Sequence, residues 1–474
     1  MIPREILQKI DDNRRRYVQE LLSYLQIPSI STYSRNAEDV RRAAEWVFNH
    51  LKRLGFQGGI YPTNGHPIVF AARCPHAHRP TILIYGHYDV QPPEPLEEWV
   101  TKPFEPSIRN DCIYARGATD QKGQLMTYLK AMEAILAVTA ELPINIKVMV
   151  EGEEEIGSPN LRTFIESRRA ELSADEIVIS DGAQFDADTP AITYGLRGLC
   201  YLQIDVEGPR VDLHSGSFGG LVANPIQVLA EVLAKLKHPD GSVAIPGFYE
   251  DVLELEPWER REMASLTYDE GAVKAYLGIN ELIGEPGYSP LERKGARPTL
   301  DANGIWGGFA GEGAKTVIPA KAGAKVSMRL VPNQKAKRIS RLAQDFIQSI
   351  TPPGVKVTIR EFHSNDPVLV SRDQPSVQAA ARAIEIGFGK APVFIREGGS
   401  IPVVTLFQEI LGLNTLLLGW GCPDDGAHSP AAGHRTRFRN TAPACHGRNR
   451  RVGFINRLDP CGDARVVSVD GTKN

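Results

Sequence analysis

The chain has 474 residues, of which 42% are hydrophobic and 23% charged, and its net charge is −3. This balance gives no basic footprint for nucleic acid, and no apolar run reaches the roughly 18 residues that could span a bilayer. Six cysteines without CxxC spacing are too sparse for a disulfide scaffold, so we expect free thiols. Early charges at Arg4, Glu5 and Lys9 would interrupt a signal-peptide core, and we therefore expect cytoplasmic residence.

The first chemically distinctive segment is an apolar run that ends in a His-x-Asp step. Residues 81–90 read as a buried strand that ends in a glycine and then a His-x-Asp step, formed by His87 and Asp89. Alternate residues of a strand point the same way, so both side chains can face one site, the imidazole as a ligand and the carboxylate as its orienting partner. A structural hydrogen-bonded pair is the alternative for these two residues taken alone. Asp120 follows in a loop before a predicted helix with a buried face.

Three further apolar runs lead to acidic residues or histidine. They are 144–150 before Glu154 and Glu155, 177–180 before Asp181, and 416–418 before the loop with His428. Taken alone, the acidic run is also typical of a solvated helix start. An Asp that follows a strand can likewise cap the next turn. The carboxyl ends of parallel strands meet at one edge of a sheet, where such sheets bind ligands. Together these residues predict an oxygen and nitrogen site for zinc, manganese or cobalt.

Five segments, in the right order, resemble the two-metal peptidase family that includes carnosinase-like dipeptidases, aminoacylases, glutamate carboxypeptidases and succinyl-diaminopimelate desuccinylases. The segments are 86–93, 114–123, 154–158, 212–216 and 396–402. The resemblance covers roughly residues 10 to 430 and is nearest to the dipeptidase branch. It implies an α/β catalytic domain with a mainly parallel sheet and an inserted ferredoxin-like α+β lid or dimerisation domain.

The resemblance also implies two divalent ions per chain, with Zn²⁺ the first choice and Mn²⁺ or Co²⁺ the alternatives. By this resemblance His87 and Asp181 hold one ion, Glu155 and His428 hold the other, and Asp120 bridges both. Asp89 orients His87, and Glu154 is the general base for a water shared by the ions. The family also has a cis peptide bond at the position between Asp120 and Gln121. The implied substrate contacts are His214, which would reach the partner's site in a homodimer, Thr316, Arg329, Gly399 and Ser400. Each of three contacts has an alternative: His214 as a loop histidine satisfied by its own turn, Arg329 as an exposed strand arginine, and Gly399 as part of an ordinary glycine turn.

The predicted domains follow from a change in the order of elements. Residues 1–202 and 365–430 form the predicted catalytic domain, and 203–364 the lid, with the order strand, helix, two strands, helix, strand. Within the lid, residues 240–300 exceed the minimal pattern, and the sequence assigns them no role. Residues 431–474 form an atypical basic tail.

The tail departs from the family pattern after Pro430. It contains nine basic and three acidic residues, and it lacks the Asn-Glu step and final amphipathic helix that the resemblance implies. We interpret it as the product of a reading-frame shift, with a functional basic tail as the alternative. His428 stays in place, but its expected neighbours do not follow it.

The expected activity is metal-dependent hydrolysis of a dipeptide or similar amide next to a free carboxylate. An N-acyl amino acid deacylase or a desuccinylase of the same family is one alternative. A non-catalytic carboxylate-binding or scaffold protein is the alternative from another class.

Overall fold

The computed structural model describes residues 3–109, 112–186, 189–421, 435–440 and 452–455, and only the backbone of 183, 420, 421 and the last two ranges. The chain forms two compact units. Unit 1 comprises Met1–Tyr194, Val370–Ile395 and Leu406–Asn474, and unit 2 comprises Gly195–Leu369 and Arg396–Thr405. Within the described residues, no helix has the length and apolarity needed to cross a membrane.

Thirteen α-helices lie in the described residues. They are α1 (Arg4–Leu25), α2 (Ala37–Arg53), α3 (Lys122–Thr139), α4 (Leu161–Ser167), α5 (Arg169–Leu172), α6 (Ser215–Phe218), α7 (Pro225–Lys235), α8 (Pro257–Ser265), α9 (Glu270–Leu277), α10 (Pro290–Gly295), α11 (Ala336–Ile350), α12 (Pro375–Phe388) and α13 (Pro402–Leu411). Short 3₁₀ turns cover Ser34–Asn36, Leu96–Glu98 and Glu154–Ile156.

Nineteen strands accompany them in the same part of the chain. They are β1 (Gln57–Tyr61), β2 (Ile68–Arg73), β3 (Thr81–His87), β4 (Ser107–Arg109), β5 (Cys112–Tyr114), β6 (Asn145–Glu151), β7 (Glu176–Ala183), β8 (Ala191–Leu196), β9 (Gly198–Glu207), β10 (Leu213–His214), β11 (Thr299–Gly307), β12 (Val317–Ile318), β13 (Lys321–Leu330), β14 (Lys356–Asn365), β15 (Val368–Leu369), β16 (Val393–Glu397), β17 (Thr415–Gly421), β18 (Arg435–Asn440) and β19 (Val452–Ile455).

The largest sheet has nine strands in the order β1-β2-β6-β3-β7-β17-β8-β15, with β16 paired to β8. Its four central strands, β6, β3, β7 and β17, run parallel, and the outer strands are antiparallel. The predicted α/β fold with a mainly parallel sheet is therefore confirmed at the centre of the sheet. Since His87 is the register partner of Glu151, the ends of β3 and β6 place their following residues at one edge.

Two details of the predicted strands are wrong. Strand β3 ends at His87, so Asp89 lies in the turn beyond it and not on the same strand face. Strand β7 continues to Ala183, so Asp181 lies within it and not after its end. The contact between His87 and Asp89 therefore arises from the turn.

The core of unit 1 forms where helices cover this sheet. Leu125, Leu129 and Met132 of α3 are buried and Leu136 is partly buried, which confirms the predicted helical face. Burying each such side chain contributes about 1.5–3 kcal/mol. These residues share one core with α2, β3 and β6, and this packing fixes the helix that follows Asp120.

A buried lysine ties this helix to α1. Lys122 is fully buried, and its Nζ donates to the carbonyl oxygens of Tyr24 at 3.3 Å and Ile27 at 2.7 Å. A cation at the end of a helix interacts favourably with the negative end of the helix dipole. Burial lowers the pKa of Lys122 to about 7.

Unit 2 is built on a four-stranded antiparallel sheet in the order β11-β13-β9-β14. Along the chain the elements come as β9, α7, β11, β13, α11 and β14, which is the predicted ferredoxin-like order. Helix α7 begins after Asn224, whose side chain accepts from the backbone N–H of Ile226 at 3.0 Å. Val228, Leu229 and Val232 of α7 and Ile339, Ala343 and Ile347 of α11 are buried, and both helices share one core with the sheet.

Residues 240–300 form a segment of three short helices, α8, α9 and α10. Glu259 and Glu292 make the reciprocal hydrogen bonds of a capping box at the starts of α8 and α10, each of which has proline in its first turn. Leu255, Met263 and Ala296 form a small core of their own. The segment is therefore an ordered part of unit 2.

Candidate metal centre and substrate-binding residues

His87 closes β3 in full burial, and its ring is held from one side. Its Nδ1 lies 3.1 Å from the carbonyl oxygen of Asp89 and 3.4 Å from Asp89 Oδ1, and its backbone N–H donates to Gln121 Oε1 at 2.8 Å. A protonated Nδ1 that donates to Asp89 leaves Nε2 with a free lone pair, as metal-ligating histidines require.

The opposite nitrogen of His87 faces two aspartates. Nε2 lies 3.0 Å from Asp120 Oδ1 and 3.7 Å from Asp181 Oδ2. Among the described residues Nε2 is buried and has no hydrogen-bond partner, although buried polar atoms are rarely left so. One ligand atom from each of the three residues falls within 4.8 Å of the others. This nitrogen and oxygen set suits a divalent ion such as zinc, manganese or cobalt, so the residues present fit the implied metal.

Asp89 connects the histidine to the acidic pair after β6. Its carboxylate, fully buried, accepts from the backbone N–H of Glu154 at 3.3 Å through Oδ1 and of Glu155 at 3.1 Å through Oδ2. One carboxylate thus orients an imidazole and fixes the backbone that carries both glutamates. The sequence predicts only the first of these contacts.

The four glutamates at the end of β6 do not have the same surroundings. Glu151 accepts from Tyr85 Oη at 2.5 Å and Ser158 Oγ at 2.9 Å, and Glu153 accepts from Asn160 Nδ2 at 2.9 and 3.0 Å. These bonds hold Glu151 and Glu153 in place within the fold, whereas Glu154 and Glu155 sit on the turn bound by Asp89.

The buried carboxylates and the imidazole of His87 shift one another's pKa values. Burial, with added charge from nearby carboxylates, raises the pKa of Glu154 to about 8 and that of Glu155 well above its usual range. Burial likewise raises the pKa of Asp181. Burial lowers the pKa of His87, but its three aspartate neighbours outweigh this and raise it well above the ordinary value. These raised pKa values favour the protonated forms of the buried carboxylates and of His87 in the metal-free protein. A divalent ion binds the deprotonated forms, so its binding would displace protons from these groups.

We expect the stabilisation by divalent metal to grow between about pH 5 and pH 7. Glu154 has a folded pKa of about 8 against an ordinary 4.5, so in that window the folded metal-free protein holds a proton that the unfolded chain releases. Rising pH then lowers the free energy of unfolding of the metal-free protein, whereas metal needs the deprotonated groups. Melting temperatures with chelator and with zinc, manganese or cobalt test this, and a gap that stays constant or narrows as pH rises would contradict it.

In unit 2 the structure brings together two of the predicted substrate contacts. His214 Nε2 lies 3.2 Å from Thr316 Oγ1, and His214 Nδ1 accepts from the backbone N–H of Gly216 at 3.1 Å. The backbone N–H of Gly216 therefore satisfies Nδ1, in agreement with the alternative interpretation of His214 as a loop histidine. Because Nδ1 accepts this hydrogen bond, the proton of the neutral ring is on Nε2. Both side chains are exposed, so an N–H donor is available at this surface.

A second group in unit 2 contains the other predicted substrate contacts. Arg329 donates from Nη1 to Ser400 Oγ at 2.9 Å, and Ser400 Oγ donates to the carbonyl oxygen of Arg197 at 2.6 Å. Arg197 in turn donates from Nε to the carbonyl oxygen of Gly398 at 2.9 Å. Gly399 lies exposed between them.

The sequence analysis missed Arg197. Burial, reinforced by the charge of Arg329, lowers the pKa of Arg197 to about 10, and burial lowers the pKa of Arg329 as well. Because two positively charged guanidinium groups lie near each other here, the binding of an anion is favoured. No local pattern in the sequence marks Arg197, because its partners are about two hundred positions away.

One predicted ligand cannot be placed. His428 lies outside the described residues, so Glu155 is the described member of the second predicted ligand pair. The peptide bond between Asp120 and Gln121 is cis, as the resemblance implies. Of the six cysteines, the described Cys74, Cys112 and Cys200 are free thiols, as predicted.

A buried imidazole and carboxylates that converge at the edge of a parallel sheet are the arrangement of a candidate metal site. The sequence model of Peptidase family M20/M25/M40 matches residues 83–434, and the chain belongs to this family. It is 35% identical over 441 residues to the Cys-Gly metallodipeptidase dug1 of Schizosaccharomyces pombe, covering 90% of this chain and 93% of the relative. It is 31% identical over 444 residues to the Beta-Ala-His dipeptidase of Homo sapiens, covering 90% and 87%.

Among solved structures, an M20 family metallo-carboxypeptidase from Sulfolobus solfataricus, Sso-CP2, is 35% identical with a TM-score of 0.78. The match covers 88% of this chain and 94% of that chain. The predicted family and fold are confirmed, and the chain is a peptidase. The non-catalytic alternative is disfavoured.

Proposed function

We propose that this protein is a metal-dependent dipeptidase that cleaves a peptide bond next to a free carboxylate. The observation that carries the proposal is the buried Nε2 of His87, which lies 3.0 Å from a carboxylate oxygen of Asp120 and 3.7 Å from one of Asp181. The similarity to relatives named as dipeptidases supports the substrate class.

The metal ligands we propose are those of the sequence analysis. His87 and Asp181 would hold one divalent ion, Glu155 and His428 a second, and Asp120 would lie between them, with Zn²⁺ the first choice. When bound, such a pair supplies an acidic water and positive charge at the reacting carbonyl. Asp89 orients the imidazole of His87 and, through two backbone hydrogen bonds, the turn that carries Glu155.

Glu154 is the proposed general base. It neighbours Glu155 on the turn held by Asp89, and as a carboxylate outside the proposed ligand set it is free to take up and return a proton. The base would remove a proton from the attacking water and then protonate the departing amine.

The substrate carboxylate is the proposed partner of Arg329, with Gly399 and Ser400 as further contacts. A guanidinium can bind a carboxylate through two parallel hydrogen bonds, and Arg197 adds positive charge nearby. His214 and Thr316 are proposed contacts for the substrate oxyanion, since His214 carries a proton on Nε2. A homodimer, which the family resemblance implies, and cytoplasmic residence complete the proposal.

A substrate panel tests the proposed specificity. We expect Cys-Gly and β-Ala-His to be hydrolysed faster than N-acetyl-leucine or N-succinyl amino acids in the presence of zinc, manganese or cobalt. Tripeptides are included in the panel because the chain is similar to a metallo-carboxypeptidase. Faster cleavage of the acyl amino acids would favour the deacylase alternative, and faster release of the last residue from tripeptides would favour a carboxypeptidase.

Replacing Arg329 by lysine is expected to lower kcat/KM on the preferred dipeptide by about 10- to 100-fold, because lysine cannot form the planar double contact. The C-terminal amide of the same dipeptide should be affected little. Arg360→Lys is the matched control, since Arg360 is an exposed strand arginine of unit 2 paired with Asp205. Equal losses on acid and amide would refute the carboxylate contact.

A further inference from the structure

The turn with Gly399 and Ser400 follows a buried ion pair. Arg396, in β16 just before the turn, donates from Nη2 to Oε1 of Glu259 on α8, and each side chain is only 4% exposed. Buried ion pairs contribute little net stability because both charges lose their hydration. Their geometry is nevertheless specific, which makes such a pair suited to fixing position.

Glu259 is held on its other oxygen as well. Its Oε2 accepts from the backbone N–H of Glu256 at 2.9 Å, which closes the capping box of α8. The carboxylate therefore has little freedom to follow a movement of Arg396. Helix α8 acts as a fixed support for the arginine.

The end of the same segment contacts the turn through its backbone. A Cβ added at Gly295 would lie 2.2 Å from the carbonyl oxygen of Arg396, so only glycine permits this approach. A Cβ added at Gly398 would lie 2.9 Å from the carbonyl oxygen of Lys294 and 2.8 Å from Arg197 Nη2. The carbonyl oxygen of Arg297 accepts from Arg197 Nη1 at 3.5 Å.

We infer that the segment from Pro257 to Arg297 is a positioning element for the carboxylate-binding group formed by Arg329, Ser400 and Arg197. Glu259 fixes Arg396 just before the turn, and the chain around Gly295 fixes the backbone that follows. Ser400 then stands at hydrogen-bond distance from Arg329 and orients its guanidinium. This inference rests on the proposed function, and it gives a role to the residues that lengthen unit 2 beyond the ferredoxin-like pattern.

The test compares a free dipeptide with its C-terminal amide. Glu259→Gln removes the charge that holds Arg396 and keeps the side-chain shape. We expect it to lower kcat/KM on the dipeptide on the order of 10-fold, mainly by raising KM, and to change the amide by less than about 2-fold, since misplacing a substrate-positioning group impairs the bound geometry. Glu262→Gln, an exposed residue of the same helix, is the control and should match wild type on both.

A double variant separates positioning from stability. Glu259→Gln with Arg396→Gln leaves no unpaired buried charge, so it should recover much of the melting temperature lost in Glu259→Gln. The selective loss on the free dipeptide should persist. Recovery of dipeptide kinetics along with stability, or an equal loss on dipeptide and amide, would overturn the inference. Wild type that does not prefer the acid over the amide would instead overturn the proposed carboxylate contact on which the inference rests.

Discussion

Glu154→Gln is expected to lower kcat by about 10²- to 10⁴-fold while the metal content of the protein stays near that of wild type. The amide keeps the size of the side chain and the backbone hydrogen bond from Glu154 to Asp89, but it cannot accept a proton. Burial of Glu154 raises its pKa above the ordinary value, so its carboxylate is a stronger proton acceptor than one in water. Steady-state kinetics and elemental analysis of the same preparation test both parts.

Glu155→Gln is the matched comparison, since it changes the adjacent residue on the same turn. If Glu155 is a ligand, this variant should lose metal as well as activity, and excess metal in the assay should restore part of the rate. Full activity in Glu154→Gln would show that another group accepts the proton. Loss of metal from Glu154→Gln would reassign that residue to the ligands.

Asp89→Asn is expected to weaken metal binding by about 10- to 100-fold, because the partner of a metal-ligating histidine sets the orientation of the ring. It should also cost about 1–3 kcal/mol of stability. Both carboxylate oxygens of Asp89 accept a backbone N–H, from Glu154 and from Glu155. Asparagine must turn its NH₂ toward one of these donors, which leaves buried polar hydrogens facing each other. Metal titration and denaturant unfolding measure the two effects.

Asp175→Asn is the control for Asp89→Asn. Asp175 Oδ2 accepts the backbone N–H of Thr81 at 2.7 Å, at the opposite end of β3. It makes the same kind of hydrogen bond far along the strand from His87, so metal affinity should stay near wild type. Equal metal affinity in both variants would exclude an orienting role for Asp89.

Much of the fold follows from periodicity along the sequence. The four-residue spacing of Leu125 and Leu129 predicts a buried helical face, and the order of strands and helices after Gly198 predicts the ferredoxin-like sheet. These features depend on neighbours within a few positions. The ends of β3 and β7 are less predictable, because apolar content does not decide where a parallel strand loses its last hydrogen bond.

The site is predictable only in part. His87, Asp120 and Asp181 are found from chain motifs, and in the structure one possible ligand atom of each lies within 4.8 Å of the others. The hydrogen bonds from the backbone of Glu154 and Glu155 to Asp89 depend on the packing of β3 beside β6. Arg197 and Glu259 depend on contacts across long stretches of chain. Such contacts leave no periodic signal, so a single sequence does not reveal them.

The bond network of Lys122 bears on how this protein can be shortened. Its ammonium is satisfied by the carbonyl oxygens of Tyr24 and Ile27, and it lies two positions after Asp120. Trimming the first 27 residues would remove both acceptors from the lysine that begins α3, two positions after the proposed bridging ligand. The amino-terminal helix, although remote in sequence from the chemistry, is thus part of the scaffold that any truncated or tagged form must retain.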